Sequence, residues 1–100
     1  MNMIRVLIQD EKGNEVSEGI DVQASLLSHP DDTRFKCLKF VDPYGDTILN
    51  RLQLDILLED LHLLEESFQN LQQREVIKQI EGLVTQCQQE PHLYIKFIGD

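Results

Sequence analysis

Three histidines and two cysteines are the side chains best suited to nucleophilic or acid–base work, which needs a Ser, Cys or Thr beside a base held by a third group. The sequence alone does not place them together. Cys37 falls in an alternating stretch and Cys87 on an apolar helical stripe, so both read as buried thiols of a reducing compartment, the alternative being a disulfide. A reactive thiolate wants electropositive, part-exposed surroundings, and an acidic chain offers the opposite. Metal ligation asks for His, Cys or carboxylates at tight spacing, and the best cluster is His29 with Asp31 and Asp32 around Pro30. Asp42 to Asp46 departs from a calcium loop, because Tyr44 stands where an oxygen ligand is needed and Gly45 comes too early. No glycine-rich run precedes either helical segment to cradle a phosphate. The expectation is a protein with no catalytic site, no metal and no cofactor.

The most informative surface lies on the helical segment after Asn50. At about 100° per residue, Asp55, Glu59, His62 and Glu66 fall in a strip roughly 60° wide, nearly opposite Leu57, Leu61, Leu64 and Phe68. Asp60 and Glu65 add to the charge, and no Lys or Arg occurs between Arg51 and Arg74. Like charges at i, i+4 cost a few tenths of a kcal/mol each, so a sequence shaped for stability alone would intersperse lysines. Beside the strip runs a ridge of Leu52, Ile56 and Leu63, either packed under the other helix or left as a contact surface. An acidic rim around an apolar centre is a common build for a protein interface, and a solvated helix exterior is the plain alternative. The expected partner-binding set is Leu52, Asp55, Ile56, Glu59, Asp60, His62, Leu63 and Glu66. His62, flanked by Glu59 and Glu66, could serve a pH switch or be an ordinary surface residue.

The 18 acidic against 9 basic residues give a formal net charge of -9 at pH 7. Nucleic acid and anionic membranes are repelled by that charge, whereas a basic protein partner is attracted and steered; the alternative is acidity that serves solubility only. Hydrophobic residues at 41% and charged residues at 27% are ordinary for a folded protein and argue against disorder. Met1 to Asp10 alternates without an apolar run, so no signal peptide is expected. No run of about 18 apolar residues suggests a membrane span, and the expected location is cytoplasmic. Length predicts that residues 1–100 form a single domain with a modest core.

These residues must be positioned by elements that the hydrophobic periodicity outlines. Met3 to Gln9 alternates as a strand, followed by a turn at Asp10 to Asn14. Second and third strands are expected over Gly19 to Leu27 and Phe35 to Val41, separated by the break at His29 to Asp32. Asp42-Pro43-Tyr44-Gly45-Asp46 reads as a tight turn. Thr47 or Asn50 then caps a first helix, and a second runs from about Gln72 to Gln89 on the stripe Val76, Ile77, Ile80, Leu83, Val84 and Cys87. Leu93 to Ile98 alternates as a last strand. The predicted fold class is α+β in the order β-β-β-α-α-β, a mainly antiparallel sheet of about four strands with two helices packed on one face.

The run Val41-Asp42-Pro43-Tyr44-Gly45-Asp46-Thr47, with Asn50, Gln53 and the ending Leu93-Tyr94-Ile95-Lys96-Phe97-Ile98-Gly99-Asp100, resembles a pattern in small bacterial proteins of uncharacterised function. Physically, Asn50 and Gln53 could cap the first helix or bond to the turn, and Tyr44 could lean over the sheet. In size, acidity and lack of chemistry the chain is similar to immunity proteins, the antidotes encoded beside secreted bacterial toxins. That likeness is one of type and carries no residue across; it implies direct binding of a basic partner, such as a toxin domain. A homodimeric structural or regulatory protein, paired through a sheet edge or the Leu52, Ile56 and Leu63 ridge, is the alternative.

Overall fold

Alternation in the first strand drives the architecture. β1 (Met3–Asp10) turns Ile4, Val6 and Ile8 into the core, and its length lets it pair on both sides. It runs antiparallel to β2 (Ile20–Gln23) and to β4 (Leu93–Gly99), and β4 in turn carries β3 (Asp46–Leu49) on its far side. The sheet order is β2-β1-β4-β3, antiparallel throughout. The computed structural model describes residues 2–29 and 31–100. The predicted break at Pro30 lies outside the described residues.

A short helical turn, α1 (Ala24–Leu27), follows β2, and two long helices, α2 (Leu54–Ser67) and α3 (Leu71–Gln88), form a hairpin. Leu54, Leu57, Leu61 and Leu64 of α2 meet Ile77, Ile80, Val84 and Cys87 of α3 in one cluster with Ile4, Val6, Ile8, Ile95 and Phe97 of the sheet. The α+β class, the antiparallel sheet and both long helices agree with the periodicity of the sequence.

Capping chemistry sets where the helices start. The Asn50 side chain accepts the Leu52 amide at 3.0 Å, and Gln53 Oε1 accepts the Asn50 amide at 2.9 Å, a reciprocal box that opens a 3-10 turn over Arg51–Gln53 and leads into α2. The choice between Thr47 and Asn50 is thereby settled for Asn50. At the second helix, Asn70 Oδ1 accepts from Gln72 at 2.8 Å and Gln73 at 3.2 Å, so α3 begins one residue ahead of its expected start.

Two expected strands are corrected. Gly19 to Leu27 is a strand only over Ile20–Gln23, after which Ala24–Leu27 winds into a helical turn. Phe35 to Val41 is no strand at all: it is a loop with a 3-10 turn at Leu38–Phe40. The reason is Asp60, which α2 carries into the interior with only 3% of its surface exposed. Its carboxylate accepts the amides of Lys36 (3.1 Å to each oxygen), Cys37 (2.6 Å) and Leu38 (2.9 Å). Three successive amides bound to one carboxylate cannot also form a β ladder. The loop still buries Phe35, Cys37, Leu38 and Val41 against the helices while Phe40 stays exposed, so its apolar content reflects packing and not strand pairing. The third strand is instead Asp46–Leu49, where Thr47 had been a candidate cap.

The turn ahead of β3 is fastened to both ends of the chain. Asp42 Oδ1 accepts the Tyr44 amide at 2.8 Å, forming a side-chain-closed turn. The Pro43 carbonyl accepts from Asn2 Nδ2 at 2.8 Å and from the Asp100 amide at 3.0 Å, and the Gly99 amide reaches Gly45 O at 2.8 Å. The runs 41–47 and 93–100 are therefore hydrogen-bonded neighbours. Tyr44 does not lean over the sheet but projects into solvent, and Lys96 pairs with Asp46 at 3.7 Å.

Removing the Asp60 carboxylate strands three amides, two of them buried, and a charged acceptor contributes roughly 1.5–3 kcal/mol per bond. Asp60→Ala is expected to lower the free energy of urea unfolding by about 3 kcal/mol or more, with Asp60→Asn losing less; a loss under about 0.5 kcal/mol would remove the central role given to this carboxylate. Gly99 is the second sensitive position, since an added Cβ would lie 2.5 Å from the Pro43 carbonyl carbon and 2.6 Å from Asp42 O. Backbone cannot step aside as a side chain can, so Gly99→Ala should lower the thermal midpoint by the equivalent of roughly 1–3 kcal/mol.

Candidate functional site

The outward face of α2 is defined by what its other faces touch. Leucines point to the core, Asp60 points to the Lys36–Leu38 amides, and one flank runs beside α3. Along that flank Gln88 Nε2 donates to Asp55 Oδ1 at 2.7 Å, His62 Nε2 lies 3.6 Å from Glu81 Oε2, and Lys78 Nζ lies 3.7 Å from Glu65 Oε1. As the α2 positions rise the α3 partners fall, which is the register of an antiparallel hairpin.

The expected contact residues divide accordingly. Asp55, Glu59, His62 and Glu66 are all exposed and share one face, and Leu52 at 87% and Ile56 at 37% exposure stand beside them. Among the described residues, no Lys or Arg lies within ion-pairing distance of Asp55, Glu59 or Glu66. Asp60 does not belong to this face: it is an internal acceptor, turned roughly 100° away from Glu59 by the helical twist. Leu63 is half-buried and packs against the core, so the exposed apolar ridge reduces to Leu52 and Ile56.

Glu81 is the residue that sequence reasoning passed over. It stands at the margin of the α3 stripe, next to Ile77 and Val84 but in line with Arg74 and Gln88, so the sequence pattern alone reads it as a surface residue. Its side chain is 13% exposed, and its Oε1 is buried with no hydrogen-bond donor. Burial first, then the neighbouring Glu65 carboxyl, push Glu81 up to about 7, while His62 and Lys78 act in the opposite direction.

The remaining candidates are occupied elsewhere. His29 Nε2 lies 3.0 Å from the Leu26 carbonyl and its ring sits 5.0 Å from that of Phe35. Asp32 is forked onto Arg34, with Nη2 to Oδ2 at 2.7 Å and Nε to Oδ1 at 3.1 Å, and these bonds draw its carboxyl down to about 2. Asp31 is exposed beside them. Among the described residues no three His, Cys, Asp or Glu side chains gather in an arrangement that could hold a metal ion, and no helix is long and apolar enough to cross a membrane.

Cys37 and Cys87 are free and buried, as their place in apolar patterns suggested. Desolvation raises both thiols, Cys87 to about 11, and for Cys37 the Asp60 charge adds to the effect. Both are therefore expected to resist a thiol reagent at neutral pH in the folded protein and to react together once urea unfolds it. A fast native reaction at either thiol, followed by absorbance, would contradict their burial.

The fold and this surface define a small α+β protein whose helical hairpin covers one side of a four-stranded antiparallel sheet and presents a one-signed face to solvent. No family model matches the chain, and neither a curated protein nor a solved structure matches it.

Proposed function

We propose that the chain is a protein-binding module that receives a basic protein surface on the outward face of α2, and that it performs no catalysis of its own. The observation that carries this reading is the set Asp55, Glu59 and Glu66, exposed on one face without a Lys or Arg partner among the described residues, with Leu52 and Ile56 alongside. Such a face steers a cationic partner from a distance, and its apolar edge supplies area that loses water on contact. Helices presenting it are rigid, because α2 is fastened to α3, to the Asp60-bound loop and to the core, so little ordering cost accompanies binding.

In its most concrete form the reading is an immunity protein of cytoplasmic, bacterial type that neutralises a toxin domain by direct contact. The support is size, a net charge of -9 and the Asp55, Glu59 and Glu66 carboxylates without a Lys or Arg partner among the described residues. A homodimer is the second reading, favoured by one observation: β3 is a sheet edge, with Ile48 exposed on it and Phe40 and Tyr44 exposed in the segment that leads to it.

The product of the neighbouring gene is the partner to test. A complex is expected at low salt that weakens as salt rises, and Asp55→Lys combined with Glu59→Lys and Glu66→Lys should slow association about tenfold or more. No complex at low salt, together with no effect of the triple reversal in cells, would sink the proposal. Light scattering of the protein alone separates the readings, since the dimer predicts twice the monomer mass at high concentration.

A further inference from the structure

The seam between α2 and α3 holds two carboxyls where packing ordinarily places apolar side chains. Glu65 and Glu81 are 14% and 13% exposed, and the register that sets His62 against Glu81 and Glu65 against Lys78 makes them neighbours across the seam. Two ionised carboxylates are acceptors only and cannot bond to each other. Glu81 Oε1 accordingly has no donor when both are charged. His62 reaches the other Glu81 oxygen from α2, and Lys78 reaches Glu65 from α3.

We propose that Glu65 and Glu81 share a single proton across the helical hairpin, and that this proton is a pH-sensitive latch holding α3 against α2. With the proton present, one carboxyl donates to the other and the buried pair carries one negative charge, which His62 and Lys78 flank. When the proton leaves, two negative charges face each other in a poorly hydrated seam and the hairpin loosens. His62 also belongs to the acidic face, so the latch lies at the margin of the proposed contact surface; it does not depend on any partner and is measured on the protein alone.

The direction with pH follows from the raised affinity of Glu81 for its proton. From an ordinary 4.5 it is pushed up to about 7 by burial and by Glu65. The folded state thus binds more protons than the unfolded chain between those values, and the stabilisation is complete below the lower one and lost as pH rises through the upper. This is opposite to the usual behaviour of a surface carboxylate in an ion pair.

Carbon-detected NMR titration of the glutamate carboxyls, with thermal and urea unfolding of the wild type, Glu81→Gln and Glu65→Gln at about pH 5 and about pH 8.5, tests the latch. The expected result is a carboxyl that titrates near neutrality in the wild type and vanishes in Glu81→Gln. Wild-type unfolding should become at least about tenfold more favourable relative to Glu81→Gln between the two pH values. In Glu65→Gln the Glu81 titration should move down toward the usual range. Should Glu81→Gln fail to fold, the wild-type titration and Glu65→Gln decide alone. Every glutamate titrating near its ordinary value of about 4.3, or a wild-type to Glu81→Gln ratio that ignores pH, would overturn the proposal.

Discussion

Three consecutive amides, those of Lys36, Cys37 and Leu38, converge on the carboxylate of Asp60, and the course of the segment 35–41 across α2 depends on that convergence. A carboxylate carried inward by a helix must find donors, since an unpaired charge in an apolar interior is far costlier than a missing hydrogen bond. Backbone amides are the donors within reach. In satisfying Asp60 they give up any ladder of their own, and the segment becomes a loop that lays Phe35, Leu38 and Val41 over the helices. The far side of β4 is then left to Asp46–Leu49, whose entry turn is tied down by Asn2, Gly99 and Asp100.

The same helix shows how position sorts one residue type into separate fates. Asp60 is an internal acceptor, Glu65 lies in the seam with α3, and Glu59 and Glu66 face solvent. A rotation of about 100° per residue is enough to move a carboxyl from one environment to the next. Charge counted along the helix therefore overstates the acidic surface, because part of it is consumed by structure. The strip of Asp55, Glu59, His62 and Glu66 stays exposed without the added charge of Asp60 and Glu65, and among the described residues no Lys or Arg pairs with Asp55, Glu59 or Glu66.

Much of the fold was legible because hydrophobic period is a local property. The runs 3–10 and 93–99 alternate, and the leucines from Leu54 to Leu64 repeat at three and four residues. The reciprocal box of Asn50 and Gln53 was open to inspection for the same reason, since its partners are three residues apart. The segment 35–41 misled because its apolar content was genuine while its partner lay more than twenty residues away in Asp60. For Leu63 the sequence left packing and exposure open, and the fold packs it against the core; Glu81 drew no reading, although its side chain is largely buried.

By itself the sequence determined the class of the fold, the two helices, the outer strands of the element order and the excess of negative charge, since each of these is read from neighbours along the chain. Only the tertiary structure decided which carboxylates stay on the surface, which residues form the third strand, and that Glu65 and Glu81 are both largely buried in the seam of the hairpin. Those outcomes are set by contacts between segments distant in sequence, where a buried charge takes whichever donors or cations the folded chain brings to it, and no local pattern encodes that choice.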